Sequence, residues 1–114
     1  MKSSNKQPLP RRVVITGIGV VAPNGNGADA FCSALRAGAS GVGAITLFNA
    51  EGLECRVAGE VKNFRCEDFL APQEYRRVGR AVPLLIAATQ EALGRAGVCW
   101  RNMEREARQA WGVI

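Results

Sequence analysis

The chain has 114 residues, 47% of them apolar and 6% aromatic, with a net charge of +5 and no histidine. That length and composition fit one small domain able to bury a core. The charge argues against nucleic acid as the main partner: Lys2, Lys6, Arg11 and Arg12 carry four of the excess charges in the leader, leaving the rest near +1, without the basic stripe or stacking platform such binding uses.

Residues 1–10, MKSSNKQPLP, have the composition of a disordered tail. A basic leader ahead of VVITGIGVVA imitates a signal peptide, but the run lacks leucine and ends in Pro-Asn-Gly with no small-x-small cleavage site. It is also too short to span a membrane. A cytoplasmic protein without membrane attachment is expected.

Val13 to Gly27, VVITGIGVVAPNGNG, is uncharged and rich in β-branched residues. Such a run fits a strand buried on both faces of a parallel sheet, stopped by Pro23-Asn-Gly-Asn-Gly27. Asn26 then reads as the N-cap of a helix over ADAFCSALRAG, with Asp29 in its first turn, Phe31, Ala34 and Leu35 on one face, and Gly38 past its end. Cys32 beside that face is expected to pack. Residues 38–43 read as a flexible connection, and a turn falls near Asn49 to Gly52.

Glu54 to Lys62 alternates, with Cys55, Val57 and Val61 set against Glu54, Arg56, Glu60 and Lys62. This predicts a strand with one wet face and a bulge at Gly59. A loop with a short helical turn follows, then a short helix from Pro72 to Val78 with proline at its first position, broken at Gly79. Leu84 to Ala96 predicts a long helix with Leu85, Ala88, Ala92 and Ala96 in one stripe, Pro83 in its first turn and Gly97 as its stop. Asn102 to Ala110 predicts a short exposed helix. Trp111 to Ile114 reads as the start of another buried strand with no cap or turn after it, which predicts a longer natural chain.

The missing histidine removes the commonest general base, the commonest metal ligand and the usual partner of a nucleophilic serine or cysteine. Cys32, Cys55, Cys66 and Cys99 form no C-x-x-C pair, so no metal site is expected and all four read as reduced thiols. Gly17-Ile-Gly19-Val-Val-Ala22 matches the relaxed dinucleotide fingerprint G-x-G-x-x-A, which makes a nucleotide-binding oxidoreductase fragment an alternative. Its context is wrong: no helix opens within the motif, and Asp29 and Glu51 both miss the distance for a ribose contact. No cofactor is expected.

Several ordered blocks point elsewhere. RRVVITGIGVVAPNGNG, RAGASGVGAIT, VAGEVKNF and EALGRAGV together resemble the N-terminus of β-ketoacyl-acyl carrier protein synthases of the type II elongating class, from Arg11 to Ile114. The resemblance implies an α/β, thiolase-like fold (layered αβαβα) of which only the N-terminal portion is present, over residues 11–114. It makes VVITGIG the first core strand, with glycines serving tight packing and turning.

It also implies a function. The family condenses an acyl thioester with malonyl-acyl carrier protein in fatty acid or polyketide synthesis. A cysteine carries the acyl group and two histidines assist decarboxylation. None of the four cysteines matches that nucleophile, so no catalytic residue is assigned to this chain. The implied partners are an acyl carrier protein and, for the full-length enzyme, a second copy. Arg76 and Arg77 match basic residues that dock the acidic carrier protein, Arg80 extends them, and Gln73 stands where another basic residue is common. Cys32, Gly79 and Pro83 depart from the family pattern. A non-catalytic carrier-binding or chain-length subunit is the remaining alternative.

Overall fold

The computed structural model describes residues 12–112; the strand expected from Val13 onward, here called the extended stretch, is assigned only at its end, Val21–Ala22, and residues 12–20 belong to no helix or strand. The tail expected over residues 1–10, and Val113 and Ile114, lie outside the described residues. The expected burial is not observed: Val13, Val14 and Ile15 are 94%, 73% and 84% exposed. A strand buries both faces only between neighbouring strands and under covering layers. The described residues supply no such neighbour, since they form two antiparallel pairs and no parallel sheet.

The end of the extended stretch, β1 (Val21–Ala22), folds back onto β2 (Gly25–Asn26), with Val21 opposite Asn26 and Ala22 opposite Gly25. Pro23 and Asn24 form the tip, where proline presets the first turn angle. The predicted stop is therefore a tight hairpin. Helix α1 (Ala28–Arg36) follows directly. Its cap is Gly27 at φ 98°, a conformation glycine takes without strain, not Asn26. The Asn26 amide instead donates to the Lys62 carbonyl at 2.8 Å. At the other end Gly38 takes φ 66°, and its N–H reaches the Leu35 carbonyl at 3.1 Å, as predicted for a helix stop. Phe31 and Ala34 are half-buried; Leu35 is exposed, and so is Cys32, which does not pack as expected.

The supposed flexible connection contains β3 (Val42–Ala44), paired antiparallel with β4 (Val57–Gly59). Gly59 lies opposite Val42 in regular register, so it is no bulge. Both Gly41 and Gly59 are glycine because the hairpin tip sits on them. A Cβ at Gly41 would lie 2.7 Å from Pro23 Cβ, and one at Gly59 would lie 2.9 Å from Pro23 Cγ. Glu60, expected on a wet face, is only 9% exposed. Its carboxylate accepts the Thr46 and Leu47 N–H groups at 3.0 Å and the Thr46 hydroxyl at 2.7 Å, which repays its removal from water.

A short 3-10 turn at Cys66–Asp68 leads to α2 (Pro72–Tyr75), shorter than predicted, with proline at its first position. Helix α3 (Ala81–Arg95) starts three residues earlier than predicted and places Pro83 in its first turn, fully buried. Gly97 at φ 70° ends it. Ala88, Ala92 and Ala96 do form a packing row, but Leu85 beside them is 67% exposed. A second 3-10 turn (Trp100–Asn102) and α4 (Arg105–Gln109), exposed as expected, complete the described chain. No helix among the described residues is long and apolar enough to cross a membrane. Among the described residues the buried apolar ones are Ala28 and Cys66 beside Pro83, so much of their apolar content faces outward.

Candidate functional site

The basic turn is built on an aromatic pair. Phe64 and Phe69 stack with centroids 5.1 Å apart and planes 2° from parallel. Between them in sequence, Cys66 is 3% exposed and packs as a small hydrophobe. The Tyr75 phenol is pushed up, first by its hydrogen bond with Cys66. Helix α2 is fixed at its start by Glu74, whose carboxylate accepts the Ala71 N–H at 3.3 Å, half of a capping box.

Arg76 ends α2 and Arg77 follows, with its N–H on the Glu74 carbonyl at 3.0 Å. Both side chains are exposed, and neither forms an ion pair among the described residues. Arg80 differs. It is half-buried, donates to the Val61 carbonyl at 3.1 Å and lies over the Phe64 ring at 6.0 Å. The three arginines share one turn, but Arg80 fastens that turn to the end of the β4 segment, while Arg76 and Arg77 project from it.

Pattern reading missed the second cluster. The Glu91 carboxylate accepts the Val20 N–H on one oxygen and the Ala28 N–H on the other, each at 2.8 Å. One side chain of α3 thus holds the end of the extended stretch and caps α1, as charge at a helix N-terminus favours. Arg95, one turn along α3, donates to Glu91 at 3.1 Å and to Asp29 at 2.7 Å. The two backbone N–H bonds hold the Glu91 carboxyl below the usual range, with Arg95 adding to them. Asp29 foremost, then Glu91, raise Arg95. The signal was present in the sequence: Glu91 is the lone acid in a helix of small and apolar residues, with an arginine four positions on.

Gly17 and Gly19 face α3, not an open cradle. A Cβ at Gly17 would collide with the Ala92 carbonyl, and one at Gly19 with the Ala88 carbonyl. Helix α1 begins at Ala28, beyond the hairpin, so no helix opens within the motif, and the N–H at its start is taken by the Glu91 carboxylate. The dinucleotide-binding alternative is overturned: the glycines admit a helix backbone instead of a pyrophosphate. Cys32, Cys55 and Cys99 are exposed free thiols, Cys66 a buried one. Among the described residues no group of His, Cys, Asp and Glu is placed to hold a metal ion.

Residues 10–114 match the family profile described as β-ketoacyl synthase, N-terminal domain. The chain belongs to the β-ketoacyl synthase family. It is 38% identical over 86 residues to 3-oxoacyl-[acyl-carrier-protein] synthase 2 of Synechocystis, covering 75% of this chain and 21% of that one. It is 39% identical over 90 residues to the granaticin polyketide putative β-ketoacyl synthase 1 of Streptomyces violaceoruber, with 79% and 21% covered. A solved structure, the ishigamide ketosynthase/chain length factor, superposes with TM-score 0.71 at 35% identity over 82% of this chain and 23% of that one. The thiolase-like α/β fold is thereby shown, as its N-terminal part. The chain spans about a fifth of the length of these curated β-ketoacyl synthases.

Proposed function

We propose that this chain is the N-terminal portion of a 3-oxoacyl-acyl carrier protein synthase, which joins an acyl thioester to malonyl-acyl carrier protein. The observation that carries this is the family match over residues 10–114. Relatives named as a 3-oxoacyl-[acyl-carrier-protein] synthase and as a polyketide β-ketoacyl synthase match at similar identity, 38% and 39%, so the condensation is proposed without a pathway. The chain's own contribution is structural and electrostatic. It has no histidine, and its four cysteines are free thiols, Cys66 buried and the other three exposed. The condensing chemistry therefore belongs to the portion of the fold beyond these residues, and the 114-residue chain alone transfers no acyl group.

Arg76 and Arg77 dock the acidic carrier protein, and Arg80 holds their turn in place. Two exposed cations on a rigid turn attract an acidic partner by steering more than by contact energy. In a chimaera carrying these 114 residues in place of the matched fifth of the Synechocystis relative, Arg76→Glu with Arg77→Glu raises KM for the carrier protein about tenfold or more at low salt, and the effect fades as salt screens it. An unchanged KM at low salt contradicts docking here. The second reading, a partner subunit without condensing chemistry, draws on the 35% identity over 105 residues to a tetracenomycin synthase "ketoacyl synthase beta subunit" of Streptomyces glaucescens. A cysteine in a small-residue turn and two histidines, sought downstream in the natural coding sequence, separate the two.

A further inference from the structure

Helix α2 has four residues, well below the length at which a helix is stable alone, so something outside it must hold the turn that carries Arg76 and Arg77. Pro72, Gln73 and Glu74 are exposed, and so are the two arginines just beyond. Tyr75 is the one residue of α2 that turns inward, half-buried. The helix packs on the 3-10 turn at Cys66–Asp68. There the Tyr75 phenol meets the Cys66 thiol. Cys66 is among the most buried side chains described, so the ring ends on a fixed point. The Glu74–Ala71 hydrogen bond closes only the first turn of α2 and ties it to no other element. Past the arginine pair, Val78 is half-buried, and Arg80 reaches the Val61 carbonyl and the Phe64 ring. Arg76 and Arg77 thus lie between two tethers, Tyr75 before them and Arg80 after.

We propose that Tyr75 is a positioning residue for carrier-protein binding: its ring, seated on Cys66, sets the direction in which Arg76 and Arg77 leave the surface. This rests on the docking role proposed above for the two arginines. A tether adds no charge, so long-range attraction of an acidic partner is unaffected by it. It acts on the ordering cost paid when the partner binds. Two rotamer-rich side chains on a loose turn lose more freedom than the same two on a fixed turn. Thiols are weak donors and weak acceptors, so the ring does the seating and the hydroxyl adds little. Phenylalanine should therefore replace Tyr75, and alanine should not.

Two measurements test this. In the isolated chain a disulfide-exchange reagent modifies the exposed Cys32, Cys55 and Cys99 quickly and the buried Cys66 slowly. Tyr75→Ala should speed Cys66 several-fold with the far-ultraviolet circular dichroism unchanged, and Tyr75→Phe should leave it slow. In the Synechocystis chimaera Tyr75→Ala should raise KM for malonyl-acyl carrier protein several-fold with kcat unchanged, and Tyr75→Phe should restore it. Added to Arg76→Glu with Arg77→Glu, Tyr75→Ala should raise KM no further. A fall in kcat alone, or the same KM rise with and without the arginines, makes Tyr75 a general structural residue and overturns the proposal. So does loss of folding in both Tyr75→Ala and the milder Tyr75→Leu, or a Cys66 that stays slow in a folded Tyr75→Ala chain. An unchanged KM for Tyr75→Ala, where the arginine pair does raise KM, overturns the tether and leaves docking standing. An unchanged KM for the arginine pair defeats the docking role itself. If the folded chimaera has no turnover, the proposed condensation fails, and affinity for the carrier protein by titration takes the place of KM.

Discussion

Glu91 joins three pieces of the molecule through one carboxylate, the end of the extended stretch, the start of α1 and Arg95 on its own helix. Removing it leaves two N–H groups without their charged acceptor. Hydrogen bonds to a charged group contribute about 1.5–3 kcal/mol each, and partial exposure of this site places the cost of Glu91→Ala near about 2 kcal/mol in total. A denaturation midpoint measured by circular dichroism checks it; no shift would mean that water replaces the carboxylate freely. The pH dependence follows from the same geometry. Glu60 is held low first by the Leu47 N–H, then by the Thr46 hydroxyl, and Glu91 by the Ala28 and Val20 N–H groups. Both folded values lie below the unfolded one, so their stabilisation is complete above the ordinary glutamate value of about 4.3 and is lost as pH falls through the lower folded values. The unfolding midpoint should be flat from neutrality to about pH 5 and then drop, with Glu60→Gln plus Glu91→Gln flattening the acid limb.

The glycines of the first stretch are decided by elements, not by local turns. Gly17 and Gly19 lie so close to α3 that its carbonyls occupy the space of a side chain. Gly19→Ala should cost about 1–3 kcal/mol by overpacking or by lifting the stretch off the helix. The same change at Gly43, where no atom lies within 4 Å, should be nearly neutral, and equal effects at the two sites would contradict this packing. Much of this level was legible. Helices α1 and α3 announced themselves by spacing and by Gly38 and Gly97, and their stops fell where predicted. What stayed hidden depends on distant chain. Asn26 looked like a cap because the cap that acts, Glu91, comes 63 residues after Ala28. Gly59 looked like a bulge because the Pro23 ring that excludes a side chain there is remote in sequence. Glu60 followed the strand alternation, but the strand ends at Gly59 and its side chain turns to the Thr46 loop.

For the molecule as a whole, the first stretch carries a pattern of burial that the described residues do not satisfy. VVITGIG reads as a buried strand, yet it forms no strand and Val13, Val14 and Ile15 are exposed, because a continuous apolar run needs neighbouring strands and covering layers that the described residues do not supply. The basic turn behaves differently, since its support is local: Arg80, Phe64 and Phe69 hold Arg76 and Arg77 outward without help from the rest. With the turn proposed for docking supported locally and the first apolar stretch left uncovered, the proposed condensation should require the rest of the family fold. The most direct measurement is condensation of an acyl thioester with malonyl-acyl carrier protein by the isolated chain and by the Synechocystis chimaera, side by side. The predicted result is none from the chain and turnover from the chimaera. Acyl transfer to a cysteine of the isolated chain, or a folded chimaera without turnover, would contradict it.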